Sequence, residues 1–244
     1  MFVKSCYKKT TLLFLLFVLL LLIFFYAKQY FYPVDFGKTF GPKSDKAKQQ
    51  LQLLNSEFDV CVSLSGKPAK FLKAIVFPEV MRFNEVTNGI ETESLHVLYV
   101  RFGEEYANFS IGIFQMKPTF AAIVESKAKQ LLPDSIYKEL QLNYKNKIES
   151  EKKRKERVNR LKDTEWQMVY LVAFVKICDA LYANKKFADD NEKLNWYATV
   201  YNTGFDKTDE YILKKIAASN FYLQNGMPGK KYNYAAIAKW FYTN

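Results

Sequence analysis

Apolar residues recur along this chain at three- and four-residue intervals, and the elements they predict are almost all helices. Lys46 to Phe58 places Leu51, Leu53 and Leu54 on one side, and Ala69 to Phe83 is strongly apolar, with Pro78 set to kink that helix or begin a new one. Ile90 to Phe102 carries Ile90, Leu95, Leu98 and Tyr99 at helical spacing. Further helices are expected over Phe120 to Leu132, Asp134 to Ile148, Asp163 to Tyr182, Glu192 to Asn202, Thr208 to Leu223 and Tyr234 to Phe241, with Asp134 as an N-cap beyond the Pro133 break. No alternating strand series and no internal repeat is visible, so the expected fold class is all-α.

The pattern changes at the N-terminus. Thr11 to Ala27 is an uninterrupted apolar stretch preceded by Lys4, Lys8 and Lys9, near the lower length for a membrane-spanning helix. Residues 1–28 thus read as a signal anchor or a signal peptide. The long apolar run and a lone small residue at its end, Ala27, favour an uncleaved anchor. With the N-terminal lysines held in the cytoplasm, the rest of the chain is exported: anchored to the inner membrane and facing the periplasm, or secreted if the segment is removed. Cys6 precedes the apolar stretch, unlike a lipoprotein cleavage site. Residues 29–48, with Pro33, Gly37, Gly41 and Pro42, read as a tether, and residues 49–244 as one domain.

Composition narrows the chemistry. A formal net charge of +11 draws the chain to anionic surfaces, and export argues against nucleic acid among them. The stretch 145–162, KNKIESEKKRKERVNRLK, reads as a solvated helix or an excursion between packed helices, or as a contact with membrane phosphates or anionic wall polymer. A single histidine, His96, in SLHVLYV leaves no Ser-His-Asp triad or His-rich metal site to build. Cys61 and Cys178 could pair in an oxidising compartment but form no disulfide framework. Carboxylate chemistry remains, with no metal or other cofactor implied.

Two segments carry the sharpest signal. Phe109 to Pro118, FSIGIFQMKP, sets a Gly and a Gln in an apolar run closed by Lys-Pro; Gly112 permits close backbone approach to a ligand or a neighbouring element, and Gln115 offers a donor and an acceptor. Ala198 to Gly204, ATVYNTG, ends a helical run at a plausible glycine cap. In this order the two resemble the lytic transglycosylase and goose-type lysozyme families. There a Gly-Leu-Met-Gln-x-x-Pro segment lines the sugar cleft, matched here by Gly112, Ile113, Phe114, Gln115, Lys117 and Pro118 with Phe in the Met position. Tyr201, Asn202 and Gly204 match a later Ala-Tyr-Asn-x-Gly segment, with Val200 in place of Ala. The resemblance covers roughly Ala69 to Gly204, and the residues after it read as an extension.

The resemblance implies a lysozyme-like helical domain with a catalytic cleft, acting on peptidoglycan glycan strands in the cell envelope. Gly112, Gln115, Tyr201 and Asn202 would bind substrate. Glycosidic cleavage needs a carboxylic acid kept protonated by apolar surroundings. Glu79, in AIVFPEVMRF, has those surroundings and the helix register of the family's Glu, although Arg82 one turn on would lower its pKa if paired. Glu93 is the rival: it is followed by Ser, as in the families, and lies nearer the usual distance from Gln115. A lytic transglycosylase needs one such Glu and yields a 1,6-anhydro sugar; a hydrolase would add a second carboxylate, for which Glu85, Glu91 and Glu93 are available. A non-catalytic glycan-binding or envelope scaffold module is the alternative from a different class.

Overall fold

The computed structural model describes residues 15–24, 36–144, 148–223 and 230–244, in two units, 1–41 and 42–244. In the first unit residues 15–24 are helical, and Phe36–Phe40 forms a short helix whose Phe36 and Phe40 rings stack 5.5 Å apart. Among the described residues no helix is long and apolar enough to cross a membrane. The expected span, 11–27, runs past residues 15–24 at both ends, and those ends, with Cys6, lie outside the described residues.

The second unit is helical, as the apolar periodicity predicts. Its elements are α1 (Pro42–Leu53), α2 (Asn55–Ser65), α3 (Ala69–Arg82), α4 (Glu85–Ser94), α5 (Pro118–Leu131), α6 (Asp134–Glu139), α7 (Glu151–Lys162), α8 (Thr164–Leu181), α9 (Asp190–Thr203), α10 (Asp209–Ala217) and α11 (Tyr234–Thr243). A two-residue antiparallel pair, β1 (Phe221–Tyr222) and β2 (Lys231–Tyr232), precedes α11. The pair is too short to leave an alternating signal in the sequence.

The centre is α8. Its run from Tyr170 to Val175, with Ile177 and Cys178, is buried on every side because α2, α5, α7 and α9 all pack against it. Asp163 caps its N-terminus, accepting from the Trp166 amide at 3.2 Å. α3 is the second core helix, packed by α1, α2, α9 and α11. Pro78 sits inside α3 without dividing it: the helix runs unbroken through to Arg82. Cys61 and Cys178 are both buried and free.

Several boundaries move. Residues 42–48, read as tether, are the first turns of α1, where Ser44 and Ala47 are buried and the Lys43 ammonium donates to the Leu223 carbonyl at 2.7 Å. The Asp134 helix stops at Glu139, because Gln141 takes a left-handed φ of 50° and the chain turns to bury Leu140 and Leu142; Pro133, not Asp134, holds the cap position. Ile90 to Phe102 is α4 continued by a π-helical turn, Leu95–Tyr99, and by Val100–Phe102. Within 145–162, residues 145–147 lie outside the described residues, and the charged sequence after them is a helix solvated on one face only, not an excursion. It forms α7, which packs against α5 and α8 with Arg157, Val158, Arg160 and Leu161 buried. The segment after Gly204 is packed into the same unit, with α11 directly on α3 and α9.

Candidate active site

α3 brings Glu79 to the site in its last turn. The apolar run before it, Phe71 to Phe77, anchors the helix in the core, so Glu79 arrives almost dry, with 4% of its surface exposed. Burial pushes its carboxyl up to about 7 against the opposing pull of Arg82 and Lys117. Arg82 does pair with it: Nη2 lies 2.6 Å from Glu79 Oε2, but the contact is not aligned as a hydrogen bond and leaves that oxygen without one. The loss of water outweighs the two cations because Arg82 is poorly directed and Lys117 makes no ion pair with the carboxylate.

The segment FSIGIFQMKP folds as a tight turn. Ile111 and Met116 exchange both backbone hydrogen bonds at 3.0 Å, and Gly112 and Gln115 take left-handed φ values of 75° and 50°. Gly112 is required here by space as well as by conformation: a Cβ would stand 1.6 Å from Gln167 Nε2. Gln167, on α8, holds the turn from beneath, accepting from the Phe114 amide and donating to the Leu161 carbonyl, both at 2.8 Å. Asn88 on α4 accepts from the Gly112 amide at 2.7 Å. Gln115 is 6% exposed and its side-chain amide donates to the Gly112 carbonyl at 2.9 Å. Pro118 then opens α5 at a position where no amide hydrogen is needed.

The end of α9 completes the wall. Tyr201 donates its hydroxyl to the Phe114 carbonyl at 2.9 Å, fixing the turn from the other side, and Gly204 ends the helix at φ 95° with its amide on the Val200 carbonyl. Asn202, one residue on, is exposed.

Glu79, Gln115, Tyr201 and Asn202 thereby line one cleft of about 310 Å³, together with Arg82, Lys117, Asn108, Phe120, Phe205 and Asp206. Four of the residues singled out in the sequence are brought together, and two are not. Gly112 does not line the cleft; its close approach is to Gln167, the neighbouring-element alternative. Glu93 is exposed on α4, does not line the cleft, and acts on His96. Glu91, two residues earlier, has a buried Oε2 without a hydrogen bond; burial raises its pKa, and Arg82 and Lys117 oppose the rise.

Sequence reading misses the scaffold of the site. Asn88 and Gln167 each use a side-chain amide in place of a backbone partner, and the only trace is that Gln167 is a lone amide in the apolar face of α8. Tyr234 on α11 is missed as well. Its hydroxyl donates to the Ile75 carbonyl at 2.9 Å, and its phenol, like that of Tyr201, is raised by burial and by the Glu79 charge. Among the described residues no three His, Cys, Asp or Glu side chains gather as a metal-binding group. No family model matches the chain, and no curated protein and no solved structure matches it.

Proposed function

We propose that this protein cleaves peptidoglycan glycan strands as a lytic transglycosylase, with Glu79 as the single acid and base. The observation that carries the reading is a buried carboxyl, raised to about 7, at the wall of a cleft that Gln115, Tyr201 and Asn202 also line. A carboxyl at that value gives and takes a proton near neutrality, as both halves of the reaction require. The acid form protonates the leaving oxygen; the carboxylate then assists attack of the muramoyl 6-hydroxyl on its own anomeric carbon. Gln115 and Asn202 would bond the N-acetyl or hydroxyl groups, and Phe120 and Phe205 offer ring surface to the sugar. The two-segment resemblance to lytic transglycosylases and goose-type lysozymes supports the same substrate, and the apolar segment 11–27 would hold the enzyme at the envelope membrane. The other carboxylate among the described lining residues, Asp206, lies 2.9 Å from Lys207.

A second reading rests on the Glu79–Arg82 contact. If that pair keeps Glu79 ionised, the cleft binds glycan without cutting it. Full-length chain in detergent, incubated with peptidoglycan and followed by mass spectrometry, separates these. Anhydro-ended products that fall by about two to four orders of magnitude in Glu79→Gln, and stay within about twofold in Glu93→Gln, are expected. Products carrying an added water would make the enzyme a muramidase, and retained binding without turnover would favour the module.

A further inference from the structure

The charges at the cleft do not balance when Glu79 carries a proton. Arg82 and Lys117 both line it. Glu91 acts on the same two cations as Glu79 does, and Asp206 is already paired with Lys207. With Glu79 neutral, the two cations therefore face Glu91 alone, and one positive charge is left over. In the substrate complex, before Glu79 gives up its proton, that surplus favours a substrate that brings an anion of its own.

The two cations are placed to meet one. Lys117 is exposed, follows the Ile111–Met116 bridge directly, and makes no ion pair among the described residues. Arg82 lies over the Phe221 ring at 5.2 Å, and its Nε is buried without a hydrogen bond, so its contact with Glu79 does not exhaust its donors. A guanidinium with an unused donor and an exposed ammonium lining one cleft form a carboxylate-binding arrangement.

We propose that Arg82 and Lys117 bind a carboxylate carried by the substrate sugar, so that the cleft selects glycan whose muramoyl lactyl carboxyl is free over strands capped there by stem peptides and over neutral amino-sugar polymers. This rests on the glycan-binding part of that reading and narrows its substrate. A capped lactyl group is a neutral amide and cannot answer the surplus charge; a free one can.

The test uses full-length chain carrying Glu79→Gln, an isosteric stand-in for the protonated acid. Calorimetric titration compares soluble glycan strands with free lactyl carboxylates against the same strands converted to methylamides. Free strands should bind about tenfold tighter. Adding Lys117→Gln should bring the two strands within about twofold of each other, while Lys117→Arg should keep the preference. Equal binding of both strands, binding of neither, or a preference untouched by Lys117→Gln overturns the proposal. Turnover by the unmutated chain is read separately. An inactive protein that still prefers free carboxylates loses the cleaving reading and keeps this one; an active protein without the preference does the reverse.

Discussion

Gly112 is the residue at which the turn FSIGIFQMKP allows no other side chain. The site of its absent Cβ is filled by Gln167, whose amide ties Phe114 to Leu161. Gly112→Ala must push that amide aside and hold a strained φ. We expect it to cost on the order of 3 to 5 kcal/mol, read as a lowered denaturant midpoint; a loss under about 1 kcal/mol would mean the turn is not clamped. The two segments that stood out in the sequence did so because glycine and proline mark backbone requirements in the residue type itself. Glu79 was legible for a similar reason, since an acid inside AIVFPEVMRF has few polar neighbours to turn toward. Its ion pair with Arg82 was legible as well, but not which effect wins, because that depends on how fully α9 and α11 exclude water.

At the scale of elements, the helices α3, α5, α8 and α11 follow their apolar periodicity closely, and α7 does not. Its mean composition reads as solvent-facing, yet two of its arginines are inside. Arg157 donates to Glu125 at 2.8 Å and to Tyr99 at 2.7 Å, and the Arg160 guanidinium lies 4.0 Å from both the Tyr144 and the Trp166 ring centres. A buried arginine satisfied by partners far along the chain looks, in sequence, the same as an exposed one. Arg157→Met would strand Glu125, which also accepts from Tyr170 at 2.7 Å, and should destabilise the fold by about 3 to 5 kcal/mol. The double variant with Glu125→Leu should recover a good part of that in urea unfolding. A double variant worse than the single would show that Glu125 is held mainly by its tyrosines. Residues 42–48 differ for the converse reason: a polar stretch with Gly41 and Pro42 reads as a tether in sequence, yet Ser44 and Ala47 face inward.

For the molecule as a whole, Glu79 couples stability to pH. Its folded value of about 7 lies above the ordinary 4.5, so the folded state holds a proton that the unfolded state has released between those values. The stabilisation is complete below about 4.5 and is lost as pH rises through about 7, by roughly 3 kcal/mol in all. Unfolding free energies of the chain and of Glu79→Gln, measured from pH 4 to 8, should therefore separate as pH rises, with the unmutated chain falling relative to the variant. A difference that stays flat would show that Glu79 titrates as an ordinary carboxyl. α11 packs on α3 and reaches the Ile75 carbonyl through Tyr234, whose phenol feels the Glu79 charge. A ribosome delivers Glu79 long before it delivers Tyr234. Until residues 234–243 have emerged and docked on α3, the Tyr234–Ile75 bond cannot form, so the surroundings of Glu79 are completed by a helix far along the chain from it.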